Sequence, residues 1–167
     1  MSYATVASNP EDFFALAENP FKFRLFLLQK LPAAYFSGVR VRKVNREQAS
    51  VAVPYKWFTQ NPFRSTYFAC LSMAAEMSTG ILAMAYVYKR KPKISMLVVA
   101  VEGKFHKKAI SKTLFTCNEG AAISQVIETA ISSGQPQTIK VLSSGYNEAN
   151  ELVAEFWVTW SFRVMSK

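Results

Sequence analysis

Residues 65–88 read STYFACLSMAAEMSTGILAMAYVY, a run whose only formal charge is Glu76. Alanine, leucine and methionine dominate its middle, so a helix is favoured over a strand. The run is apolar nearly all round, as in a helix buried on every side rather than one lying on a surface. The basic cluster Lys89-Arg90-Lys91 follows, and Pro92 helps to end the helix, which is expected over residues 64–89.

Downstream of this helix the chain reads mostly as strand. Ile94 to Val101 is a near-continuous apolar run, Lys112 to Cys117 is rich in β-formers, and Thr138 to Ser144 follows a Gly-Gln-Pro-Gln turn. Leu152, Ala154, Phe156, Val158, Trp160, Phe162 and Val164 alternate with more polar residues and make the clearest strand in the chain. Between these strands Ala122, Ile123, Val126, Ile127, Ala130 and Ile131 fall at helical spacing; Asn118 is placed to cap that helix and Gly134 to end it. Upstream, Val39-Arg40-Val41-Arg42 and Ser50 to Tyr55 read as a hairpin about the Asn45-Arg46-Glu47-Gln48 turn. Asn-Pro pairs at 9–10 and 19–20 predict two short helices in an N-terminal extension over residues 1–32, the second stopping before Pro32. Their bulky apolar residues need a surface to cover. The order predicts an α+β fold, with a curved, mostly antiparallel sheet around one long helix, in a single domain over residues 1–167.

With 167 residues, half of them apolar, the chain builds a core without metals or disulfides. Cys70 and Cys117 have neither zinc spacing nor a disulfide framework, so two reduced thiols in a cytoplasmic protein are expected. The start, MSYATVASNPEDFF, lacks the pattern of a secretory signal. The formal charge of +9 favours anionic partners. No nucleic-acid-binding motif accompanies it, and most aromatic residues sit at core-like spacing, so a nucleic-acid partner is not expected. The 65–88 run is about long enough to cross a membrane, but a mid-span acid and several hydroxyls argue against stable insertion. Glu76 then has two readings: a carboxylate reaching a solvent edge or structural partner, or one facing a substrate cavity with its pKa raised by desolvation.

The segment NPFRSTYFACLSMAAEMSTG, Asn61 to Gly80, resembles the central-helix signature of hotdog-fold thioesterases of the phenylacetyl-CoA type. In that family an Asn precedes a His-Gly-Gly turn at the helix start, and an acid follows inside the helix. Asn61 and Glu76 match the Asn and the acid, and Leu71 matches an apolar position between them. ISMLVVAVEGKFHKKAISKTLFTC resembles the two strands that follow. From Phe21 to Met165, with PYKWFTQNPF and the helix over 119–133, the chain is similar to an uncharacterised bacterial family beside these enzymes. Tyr67-Phe68-Ala69 replaces His-Gly-Gly.

The resemblance implies an acyl-CoA or acyl-carrier thioester as substrate, with no cofactor beyond the coenzyme A carried by it. Backbone N–H groups near Phe68 and Ala69 would stabilise an oxyanion, and Glu76 would act as general base or nucleophile. Asn61 would hold water or the carbonyl; its other reading is a helix N-cap. Tyr67 would supply a hydroxyl or simply fill space. Lys89, Arg90, Lys91, Lys93, Lys104, Lys107 and Lys108 are either phosphate contacts or a solvated basic face. His106 reads as structural. The resemblance also implies a homodimer or dimer of dimers, with sites built from two subunits. The alternative is a non-catalytic module holding a fatty acyl or other apolar ligand.

Overall fold

A computed structural model describes residues 9–165 of the chain. Three helices open it: α1 (Pro10–Glu18), α2 (Pro20–Lys30) and α3 (Pro32–Ser37). The first two start as the Asn-Pro pairs dictate, with the Asn9 side chain accepting from the Glu11 N–H and the Asn19 side chain from the Lys22 N–H. Helix α3 was not anticipated. Pro32 ends α2 but is itself suited to the first position of the next helix, and Gly38, at φ 78°, closes it.

Strands β1 (Arg40–Val44) and β2 (Ala49–Val53) form the expected hairpin, and the Asn45 side chain accepts from the Glu47 and Gln48 N–H groups in its turn. A 3₁₀ turn, Trp57–Thr59, leads toward α4 (Phe68–Val87). Then come β3 (Ile94–Phe105), β4 (Thr113–Cys117), α5 (Gly120–Ser133), β5 (Gln137–Tyr146) and β6 (Leu152–Val164). The six strands form one antiparallel sheet in the order β1-β2-β4-β5-β6-β3.

The sheet curls around α4, which packs against all six strands. Ala74, Ala75, Leu82, Ala83 and Ala85 of α4 are sealed from solvent with Phe115, Val141, Val158 and Phe162 of the sheet. Helix α4 has the length and composition of a membrane span, but the domain's own strands and helices surround it. Its small residues let the sheet approach closely.

Asn118 does not cap α5. It is exposed, and the helix begins after Glu119, whose carboxylate accepts from the Leu142 N–H at 2.7 Å. The start is fixed by close approach instead: the Gly120 N–H donates to the Glu47 carbonyl, and a Cβ on Gly120 would lie 2.0 Å from the Arg46 carbonyl oxygen. Only glycine fits there. Gly134 ends α5 at φ 66°, as the sequence predicts.

The sheet has two unlike edges. The exposed side chains of β1 are Arg40, Arg42 and Lys43. Among the described residues strand β3 pairs only with β6 and leaves Leu97, Val99, Val101 and Phe105 exposed. Both cysteines are free and buried.

Candidate functional site on the central helix

The third Asn-Pro pair does not start a helix. The Asn61 carboxamide oxygen accepts from the Phe63 N–H at 3.0 Å, the Ser65 N–H at 3.2 Å and the Ser65 hydroxyl at 3.2 Å, which folds residues 61–65 into a turn with Arg64 at φ 56°. Thr66 is then clamped to the loop after β3, its N–H and hydroxyl both donating to the Ala109 carbonyl at 2.7 and 3.0 Å. Helix α4 begins at Phe68 with no side-chain cap. Among the described residues the N–H groups of Phe68 and Ala69 have no hydrogen-bond partner, as expected at an uncapped helix start.

A cavity of about 510 Å³ opens at this helix start. Asn61, Tyr67, Phe68 and Leu71 line one side, and Phe105, Lys107 and Lys108 line another. The Tyr67 and Phe68 rings lie edge to face, with centroids 4.9 Å apart. His106 pairs with Glu155 at 2.9 Å and Lys107 with Glu151 at 2.6 Å, so both are tied to neighbouring carboxylates.

Glu76 lies two turns further along α4 and borders a different cavity, of about 100 Å³. Phe13, Phe23 and Phe26 of the N-terminal helices roof it, and Met96 of β3 and Trp160 of β6 complete its walls. The roof is where Phe13, Phe23 and Phe26 go, while Phe21, Leu25 and Leu28 of α2 stay exposed. Among the described residues nothing hydrogen-bonds or ion-pairs with the Glu76 side chain. Burial pushes its carboxyl above the usual carboxylate range. The Trp160 indole is held by a 2.9 Å bond from its N–H to the Thr79 hydroxyl, which in turn donates to the Glu76 carbonyl at 2.8 Å. Gly80 makes the space: a Cβ there would stand 3.3 Å from Glu76 Oε1 and 3.2 Å from the Trp160 ring. A glycine inside an otherwise strong helix was the available sequence signal for this site.

The structure therefore brings Asn61, Tyr67, Phe68, Lys107 and Lys108 to one cavity, with Ala69 beside it, and Glu76 to another. The 20-residue helix α4, about 30 Å long, separates the helix-start cavity from Lys89, Arg90 and Lys91. Arg90 is buried, its guanidinium forked onto Glu128 at 2.6 and 2.7 Å, while Lys89 and Lys91 are exposed. Lys93 and Lys104 are exposed as well. Sequence reasoning missed Phe105 at one cavity and the Phe13, Phe23, Phe26 and Met96 walls of the other. No group of His, Cys, Asp or Glu gathers as a metal-ligand set among the described residues.

A family model described as a domain of unknown function, DUF4442, matches residues 22–162. The chain belongs to this family. Among solved structures, the DUF4442 chain is similar to a protein of unknown function from Pseudomonas aeruginosa described as a probable thioesterase. The TM-score is 0.73 at 19% identity, covering 87% of this chain and 97% of that one. It is similar to a putative thioesterase from Shewanella oneidensis, with TM-score 0.69 at 9% identity over 92% and 99% of the two chains. A thioesterase from Haemophilus influenzae gives TM-score 0.64 at 14% identity over 86% and 90%. At these identities the likeness shows the fold, which is the hotdog fold. A comparison with curated proteins finds no match.

Proposed function

We propose that this DUF4442 protein hydrolyses acyl thioesters carried on coenzyme A or an acyl carrier, with Glu76 as general base or nucleophile. The observation that carries the reading is the Glu76 carboxyl itself, which borders an apolar cavity with no cation or hydrogen-bond donor among the described residues to compensate it. An ionisable group in such a place is costly and is retained where its proton affinity is used. The raised pKa suits a base, because a carboxylate of ordinary pKa takes up protons weakly at neutral pH. The free Phe68 and Ala69 N–H groups, with Asn61 and Tyr67 nearby, supply donors for an oxyanion. Lys107 and Lys108 stand at the same cavity, where carrier phosphates would be met.

From Phe68 to Glu76 the helix rises about 12 Å, too far for one chain's acid to serve one chain's helix start. A homodimer resolves this, with the acid of one protomer meeting the helix start of the other. The edge strand β3, with Leu97, Val99, Val101 and Phe105 exposed, supports such pairing, since an exposed, hydrophobic, unpaired edge is a template for another strand. The two free thiols support a cytoplasmic setting.

A second reading is a non-catalytic module that holds an apolar ligand in the roofed cavity. The edge-to-face Tyr67 and Phe68 rings favour it, because they line the helix-start cavity where thioesterases of the phenylacetyl-CoA type have His-Gly-Gly. One experiment separates the two. Purified protein is given short, medium, long and aromatic acyl-CoA thioesters, and free thiol is followed for the wild type and Glu76→Gln. Glu76-dependent release supports the hydrolase. A retained ligand with no release across the panel supports the binding module.

A further inference from the structure

The positive charge of this chain is not spread evenly. Between Asn19 and Ala75 stand nine lysines and arginines and a single acid, Glu47, which places eight of the nine net charges in about a third of the chain. Elsewhere eleven basic residues stand against ten acids, and Lys107, Lys112, Lys140 and Arg90 each pair with a glutamate. Of the nine, only Arg46 makes a salt bridge among the described residues, to Glu11.

The same segment exposes an organised apolar surface. Helix α2 buries Phe23 and Leu27 against the domain. At 100° per residue, Phe21, Leu25 and Leu28 fall within an arc of about 60° on the opposite side. They are 79, 48 and 41% exposed. Lys22 and Arg24 flank this stripe. The Arg24 guanidinium lies 3.9 Å from the centroid of the Tyr35 ring and joins α2 to a second patch. There Tyr35, Phe36, Phe58 and Trp57 touch in series, with centroids 5.3, 6.4 and 6.4 Å apart. Trp57 is 82% exposed, and Lys56 stands beside Phe58.

We propose that this surface, the outer face of α2 with the Phe36-Trp57-Phe58 patch, docks the protein on the headgroup layer of an anionic lipid bilayer. Leucine, phenylalanine and tryptophan on one face with lysine and arginine at its border is the composition that lies in a membrane interface without crossing it. The unmatched charge is drawn to anionic headgroups, and the apolar stripe enters the acyl boundary beneath them. A second copy of the chain fits the face poorly, because it would set two unneutralised positive fields against each other. Nucleic acid fits poorly too: phosphate rewards the cations but gains nothing from Leu25 and Leu28. The inner face of the docked helix carries Phe23 and Phe26, so the bilayer would lie one helix diameter from the Glu76 cavity, about 10 Å.

The test is flotation of the purified protein with vesicles of phosphatidylcholine alone or with about one third phosphatidylglycerol. The expected result is at least roughly tenfold tighter binding to the anionic vesicles, weakened as sodium chloride is raised. Leu25→Ser with Leu28→Ser, and separately Lys22→Glu with Lys30→Glu, should each lower that binding about tenfold at an unchanged melting temperature. These side chains are exposed, so the fold does not depend on them. Equal binding to both vesicle types, no binding to anionic vesicles, or full binding by both variants would overturn the proposal. So would light scattering in which the double serine variant loses an oligomer that the wild type forms, since the face would then belong to a second copy.

Discussion

At its first turn α4 offers unpartnered N–H groups to an open cavity of about 510 Å³, beside Asn61, Tyr67 and two lysines. Two turns later it offers one carboxyl, amid hydrocarbon and aromatic rings, to a roofed cavity of about 100 Å³. The first is wide, basic at its rim and suited to a large polar carrier. The second is narrow and suited to a small apolar group and a proton. A thioester has both kinds of part, but within one protomer the two cavities lie too far apart to act on the same carbonyl. On the proposed reading the helix holds two half-sites.

Mixing gives the largest test of that division. If the half-sites join across a dimer, inactive Glu76→Gln protomers and impaired Asn61→Ala protomers, exchanged together, should regain about one quarter of wild-type turnover. If no activity returns although exchange is shown by mass spectrometry, each protomer works alone.

Next in size is the pair at the far end of the helix. Arg90→Ala should lower stability by roughly 2–3 kcal/mol, because it breaks a forked ion pair with a buried guanidinium, as read by urea denaturation. The KM for an acyl-CoA should not move. A large rise in KM would return Arg90 to the carrier site. Asn61→Ala removes three hydrogen bonds from the turn before α4 and should cost about 1–2 kcal/mol in urea denaturation, with a rise in KM for an acyl-CoA that Arg90→Ala does not show.

The Glu76 pocket should reveal itself by pH. Its carboxyl has a folded pKa above the unfolded value, so the protonated form is the one that folding favours. That contribution is fully present below the unfolded pKa and is lost as pH rises through the folded one. Melting temperatures of wild type and Glu76→Gln should therefore converge near pH 4 and diverge by pH 8, with the variant the more stable. The smallest effect is at the rim of the open cavity. Lys107→Ala loses an exposed ion pair and should change stability by less than about 0.5 kcal/mol.

What was legible in the sequence was what repeats locally. The period-2 stripe of β6, the apolar girth of α4 and the Asn-Pro starts of α1 and α2 each declare themselves within a few residues. The site depended on contacts between distant segments. Phe13 and Phe23 reach Glu76 across more than 50 residues, and no local spacing announces that. Asn118 is a good cap by composition, yet the start of α5 is decided by the Arg46 carbonyl pressing on Gly120. The apolar run of β3 declares a strand but not that its outer side stands open. Arg90 read as part of a surface cluster, and only the fold buries it and places Glu128 beside it.

The two thiols provide a use of the fold beyond its chemistry. Burial pushes the Cys117 thiol up to about 12 and the Cys70 thiol above its ordinary value, and both are buried in the closed domain. Cys70 sits in the first turn of α4, and Cys117 ends β4 in the interior of the sheet. Each is a clock on a different door. A thiol reagent would mark Cys70 whenever the helix start frays and Cys117 only when the sheet itself parts, so the two labelling rates would measure local and global opening in one unmodified molecule.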